Sequence, residues 1–229
     1  MIELRDVVKS YPAGEERLTV LNGVNLLLKP GDFATIAGPS GSGKSTLLHL
    51  IGALDKPDRG CVLFDGSDVA YLNDRAAAQL RNRSVGFIFQ SFHLIPVISA
   101  LENVAYPMVL AGVPAAQRRE RAQVLLDKVG LTKFAHARPG KLSGGQRQRV
   151  AIARSLACSP RLVLADEPTA NLDHNTAIGI MDLLLQLNQS EQITFLFSTH
   201  DSTVMSYAKR SLRLREGLIV EDPQGQPHV

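Results

Sequence analysis

The apolar positions change rhythm several times along the chain. IELRDVV (2–8) alternates and VNLLL (24–28) is nearly continuous, with the charged turn AGEER (13–17) between them. The pair predicts antiparallel strands of a small β layer. DFATIAG (32–38) is a short apolar run ending in glycine, and GSGKSTLLHLIGAL (41–54) follows with helical apolar spacing. Strand, glycine loop and helix open an α/β domain. CVLFDG (61–66) and VGFIFQ (85–90) add two strands.

Residues 99–157 differ. Ala122, Leu125, Leu126 and Val129 fall at i, i+3, i+4 and i+7, with Pro114 suited to the helix's first turn and Gly130 to its end. Arg118, Arg119 and Arg121 read as a solvated helix face diluted by Glu120. Strand character returns at RLVLAD (161–166), a helix is predicted at 175–188, and ITFLFST (193–199) is another strand. SLRLREGLIVED (211–222) reads as a hairpin turning at Glu216-Gly217. The expected architecture is one α/β domain over 1–229, with β elements at 1–30 and 208–221 and a helical subdomain inserted at 99–157.

Composition narrows the class. The 229 residues carry 25 Lys plus Arg against 22 Asp plus Glu, a formal charge of +3, which gives no argument for nucleic acid or a membrane surface. Cys61 and Cys158 have no metal-ligand spacing and read as small buried hydrophobes. The N-terminus lacks a signal peptide's apolar stretch. The longest apolar region, 94–112, is broken by Pro96, Glu102 and Pro107, so it does not read as a membrane span. A soluble, cytoplasmic chain is expected, reaching any membrane through a partner.

GPSGSGKST (38–46) matches the phosphate-binding pattern G-x-x-x-x-G-K-[ST] at every fixed position. Gly38, Gly41 and Gly43 let successive backbone N–H groups turn around phosphate oxygens, and the following helix aims its positive end at the same anion. Lys44 would reach the β- and γ-phosphates and Ser45 would ligate Mg²⁺. Pro39, Ser40, Ser42 and Thr46 complete the cradle. The acidic half of such a site is supplied by RLVLADEP: Asp166 for Mg²⁺, Glu167 to polarise the attacking water. These two stretches alone leave kinases, GTPases, helicases and transporters open.

LSGGQ (142–146) separates them. It precedes a helix with Val150, Ala153 and Ala157 on one face, so its serine and glycines stand at a helix N-terminus, a second anion site. One chain needs one cradle per triphosphate, so the second asks for a partner. Here the sequence resembles the ATP-binding cassette family over nearly its whole length, LSGGQ being that family's characteristic segment. The resemblance implies a P-loop NTPase core with an antiparallel β subdomain and an inserted helical subdomain. It also implies ATP hydrolysis in a head-to-tail homodimer, in which Ser143, Gly144, Gly145 and Gln146 of one subunit face nucleotide held by Lys44 of the other. It further implies that Gln90 touches Mg²⁺, that NLD (171–173) with Asp173 crosses the dimer interface, that His200 contacts the γ-phosphate and that Tyr11 stacks on adenine.

AQLRNRSVGFIFQ and SFHLIPVISALENVAYPMVLAG are similar to the lipoprotein-releasing and macrolide-exporting branch. That branch implies a separate integral-membrane subunit, a periplasmic adaptor, a position on the cytoplasmic face of the inner membrane, and export of a lipoprotein, lipid, peptide or drug. Phe92, Leu94 and Ile95 form an apolar cluster suited to a partner's short helix. One departure is Ala170 in PTANLD, where that branch usually has glycine, a change tolerable if the backbone there is not left-handed. Cassette ATPases of DNA repair carry a coiled coil between the two motifs, and no sustained heptad lies between Ser45 and Ser143. The translation-associated type carries two cassettes. A non-transport ATPase signalling through a membrane subunit to cell-wall hydrolases remains open.

Overall fold

The computed structural model describes residues 1–14 and 16–221, the last by its backbone alone; Glu15 and residues 222–229, which include Asp222 at the end of the predicted hairpin, lie outside the described residues. In chain order the elements are β1 Ile2–Ala13, β2 Glu16–Leu28, β3 Phe33–Ala37, α1 Lys44–Ile51, β4 Arg59–Phe64, β5 Ser67–Asp68, α2 Asp74–Ser84 and β6 Val85–Ile88. There follow α3 Ala100–Leu110, α4 Ala115–Lys128, α5 Gly144–Ser155, β7 Leu162–Asp166, α6 His174–Glu191, β8 Thr194–Thr199, α7 Ser202–Tyr207, β9 Arg210–Arg215 and β10 Leu218–Glu221. None of the described helices is long and apolar enough to cross a membrane.

The chain packs as two compact units. The first, 1–81 with 194–229, holds two sheets. One is antiparallel in the order β2-β1-β4-β5. In the other, β3 runs parallel to β8 on one side and β9 on the other, and β10 closes a hairpin on β9. Its turn is Glu216-Gly217, both at positive φ, as a two-residue hairpin requires. Phe33, Phe195 and Phe197 are fully buried, and the Phe33 ring lies 4.7 Å from that of Phe197, centre to centre. Each such side chain contributes roughly 1.5–3 kcal/mol of burial free energy.

β1 and β2 extend well beyond their apolar runs, as an exposed polar ribbon. Within β1 the pairing register slips around Arg5–Asp6, where Asp6 adopts φ 47° and its N–H donates to Asn25 Oδ1. The bulge changes the phase of burial. Ile2 and Leu4 are buried before it, Val7 and Lys9 after it.

The second unit, 82–193, pairs β6 with β7 in parallel and packs α3, α4 and α5 together. Ala122, Leu125, Leu126 and Val129 are all buried, the face expected of α4. Pro114 is the N-cap of that helix rather than part of its first turn. Ser99 and Glu102 form a reciprocal capping box on α3. Cys61 in the first unit and Cys158 in the second are free and half-buried, less enclosed than core hydrophobes.

Candidate nucleotide site

β3 delivers the chain into the loop 38–43, and the three glycines there are required for different reasons. Gly41 and Gly43 take left-handed backbone, φ 77° and 99°, and Gly43 is the N-cap of α1. Gly38 has no such φ. A Cβ there would instead lie 2.7 Å from both the Leu214 carbonyl oxygen and Ser42 Oγ. Backbone turning, expected for all three, therefore accounts for Gly41 and Gly43, and for Gly38 the cause is space.

Lys44 opens α1, is buried, and folds over the loop, its ammonium donating to the carbonyls of Gly38 at 2.8 Å and Pro39 at 3.0 Å. Pro39, Ser40, Gly41 and Ser45 are exposed around it, whereas Ser42 Oγ is buried and makes no hydrogen bond. The register Ala37↔Thr199 between β3 and β8 sets Gly38 and the exposed His200 level at one end of adjacent strands. Tyr11, half-buried on β1, donates its hydroxyl to Asp55 Oδ2 at 2.9 Å and also meets the Thr46 side chain. Thus the first unit joins Tyr11 to α1 and brings His200 beside the start of the loop.

In the second unit, Ile88↔Ala165 is the last paired position of β6 and β7, so Gln90 and Glu167 follow at the same end. Glu167 sits at φ 47°, a left-handed backbone that costs a non-glycine residue about 1–3 kcal/mol. The turn behind it is held by Gln148, fully buried on α5, which donates to the Pro168 carbonyl at 2.6 Å. Asn171 donates to the Gln90 carbonyl at 2.9 Å, linking the NLD loop to the glutamine segment. Ala170 is outside the left-handed region, so the alanine in PTANLD carries no backbone penalty.

Ser143 is the N-cap of α5. Its Oγ accepts from the Gln146 N–H while Gln146 Oε1 accepts from the Ser143 N–H, a capping box that leaves the Gly144 and Gly145 N–H groups at the open helix end. A Cβ on Gly145 would lie 2.5 Å from Thr176 Cγ2, so this glycine is already demanded inside its own chain. Thr176 belongs to α6, whose N-cap is Asp173; the carboxylate accepts from the Thr176 hydroxyl at 2.6 Å and from its N–H at 3.0 Å. Those two bonds hold the Asp173 carboxyl below its ordinary pKa. LSGGQ and NLD are therefore packed against one another.

The residues that organise this unit carry no motif or spacing that marks them in the sequence. Arg154, on α5, donates to the carbonyls of Phe92 at 2.8 Å and His93 at 2.5 Å, and both acceptors stand at positive φ. Arg147 lies over the Phe92 ring, 5.1 Å from its centre, so one face of Phe92 is covered within the chain, while Phe92, Leu94 and Ile95 are all half-buried. Asn103, fully buried, accepts from the Ile95 N–H and donates to the carbonyls of Ile95, Ile98 and Ser99. Replacing Arg154 with methionine is expected to lower unfolding free energy by about 1–3 kcal/mol, since two carbonyls lose a charged donor. An unchanged urea midpoint and slope would mean that Arg154 does not hold this segment.

Comparison with known proteins shows the family. The family model described as "ABC transporter" matches residues 21–170, and the chain belongs to that family as an ATP-binding cassette ATPase. It is 47% identical over 220 residues to the lipoprotein-releasing system ATP-binding protein LolD of Pseudomonas fluorescens, covering 96% of this chain and 97% of that one. It is also 47% identical over 221 residues to the macrolide export ATP-binding/permease protein MacB of Syntrophobacter fumaroxidans, covering 96% of this chain and 31% of MacB. Among solved structures, the dimeric post-hydrolysis state of the ATP-binding cassette MJ0796 bound to ADP and Pi superposes with a TM-score of 0.90 at 44% identity, covering 97% of this chain and 98% of that one. The α/β cassette fold and the lipoprotein-releasing/macrolide-exporting branch follow.

Proposed function

We propose that two copies of this chain close head to tail on ATP and Mg²⁺, and that the closure drives a separate membrane subunit in the export or extraction of a lipoprotein, lipid, peptide or drug. The observation that carries the dimer is the open helix end at Gly144 and Gly145, a second anion site in a chain that already has a complete phosphate loop. MJ0796, so similar in fold, is described as dimeric in its ADP- and Pi-bound state.

In the closed dimer Lys44 binds the β- and γ-phosphates, the loop N–H groups cradle them, and the buried hydroxyl of Ser42 gains a partner. Tyr11 carries the base. The Ser143 hydroxyl, whose lone pair is used within the cap, keeps its proton for the partner's γ-phosphate. Glu167 accepts a proton from the attacking water, and His200 holds the γ-phosphate. Asp173 and its loop lie against the partner copy. Ser45, Gln90 and Asp166 each offer an oxygen donor, the chemistry Mg²⁺ prefers, and are the residues that would hold it. Bound there, the ion neutralises charge on the phosphate oxygens.

The membrane subunit has a docking surface in the second unit. A groove of about 570 Å³ is lined by Val97, Ile98, Leu101 and Ala105, with Glu102 among the cations Arg118, Arg119, His136 and Arg138. An apolar strip beside cations suits a short amphipathic cytoplasmic helix. The chain would thereby lie on the cytoplasmic face of the inner membrane, with a periplasmic adaptor on the other side.

Subunit complementation tests the head-to-tail arrangement. Ser143→Arg keeps its phosphate loop and Lys44→Ala keeps its LSGGQ segment, so a mixture rebuilds one whole site per dimer. ATP turnover should reappear on mixing two preparations that are each inactive. A mixture as inactive as its components would count against the arrangement.

A further inference from the structure

Lys9 is a lysine where a strand core expects an apolar residue. The bulge at Arg5–Asp6 turns it to the face shared with Val7, and it is only 8% exposed. Its ammonium donates to Asp55 Oδ1 at 2.8 Å and to the Lys56 carbonyl at 2.7 Å. The same nitrogen lies 5.1 Å from the centre of the Tyr11 ring. Tyr11 donates its hydroxyl to the other oxygen of Asp55. Asp55 is tied to the end of α1, its N–H donating to the His49 carbonyl, and Thr46 at the start of α1 meets the Tyr11 hydroxyl. The ring is thus gripped at its hydroxyl by the phosphate-loop helix and covered on one face by a cation.

Burying the lysine costs desolvation, and because its partner Asp55 stays 32% exposed the pair returns little net stability. Fold stability is therefore a poor account of this arrangement. We propose that Lys9 and Asp55 are positioning residues for the nucleotide base: they fix the Tyr11 ring in one orientation relative to the phosphate loop and leave a single face for the base. The protonation states agree. Burial first, then the Asp55 carboxylate, push the Tyr11 phenol up, so it remains a donor. Burial alone would raise the Asp55 carboxyl, but hydrogen bonds from Lys9, the Lys56 N–H and Tyr11 outweigh it and hold it low.

This inference rests on Tyr11 being the base platform, and the experiment separates the two. Dissociation constants for Mg-ATP and for tripolyphosphate, which has no base, are measured for wild type, Tyr11→Ala, Lys9→Met and Tyr11→Phe. Tyr11→Ala should weaken ATP about 10–100-fold through lost stacking. Lys9→Met and Tyr11→Phe, which keep the ring but free it, should each weaken ATP by about 3–20-fold, with tripolyphosphate affinity within a factor of about two of wild type. Normal ATP binding in Tyr11→Ala would overturn the platform and this inference together. A weakened Tyr11→Ala beside normal Lys9→Met and Tyr11→Phe would overturn only the positioning role. Equal loss of ATP and tripolyphosphate in both ring-retaining variants would assign the network to folding and overturn it too. Should Lys9→Met fail to fold, Tyr11→Phe decides alone by the same comparison.

Discussion

Glu167→Gln is expected to bind ATP like the unmodified protein and to release phosphate at least about 100-fold more slowly. The side chain keeps its length and the amide still accepts a hydrogen bond, but it cannot take a proton from water. The backbone around it should persist, because Gln148 holds the Pro168 carbonyl independently of the carboxylate. Since hydrolysis is what would open the dimer, this variant should accumulate as a dimer with ATP and Mg²⁺. Phosphate release and size-exclusion elution measured on one sample make the check. A variant that binds ATP yet elutes as a monomer would remove the head-to-tail sandwich, while undiminished turnover would remove Glu167 as the base.

Lys44→Ala is expected to lose affinity for ATP itself, by about 100-fold or more, at two lost charge-assisted hydrogen bonds of about 1.5–3 kcal/mol each. The loss has two sources. The cation that faces the phosphates disappears, and the carbonyls of Gly38 and Pro39, which now accept from it, point toward an anion undamped. Because the left-handed glycines set the course of the loop, the fold should survive. Calorimetric titration with Mg-ATP reads the effect. An ordinary binding curve would mean that the lysine serves the loop and not the nucleotide.

How much of this is legible in the sequence depends on the range of each interaction. The phosphate loop and the LSGGQ helix end are set by neighbours in the chain, so a spacing rule finds both. Ser143 even declares its cap through Gln146 three residues on. α2 goes unseen because Ala77 is its only fully buried residue, and so it has no apolar stripe. Arg154, Gln148 and Asn103 go unseen for another reason. Each is one polar residue on a helix, and its meaning comes from carbonyls that tertiary folding delivers. Lys9 is hidden by the bulge. Strict alternation from Ile2 and Leu4 would count it as outward, and only the slipped register reverses that. Phe92 is the converse case, an apolar residue whose ring is occupied by Arg147 from its own unit.

The strand that leads into the phosphate loop has a consequence for how the protein is made. β3 is complete by residue 37, yet its two ladder partners are β8 and β9, within 194–215. A ribosome emits the phosphate-loop sequence well before its strand partners, so the strand that aims it has no ladder neighbour until residues 194–215 have emerged. Such long-range pairing is slow and exposes unpaired edges meanwhile. A product truncated before residue 194 would therefore carry an intact GPSGSGKST with neither strand beside it.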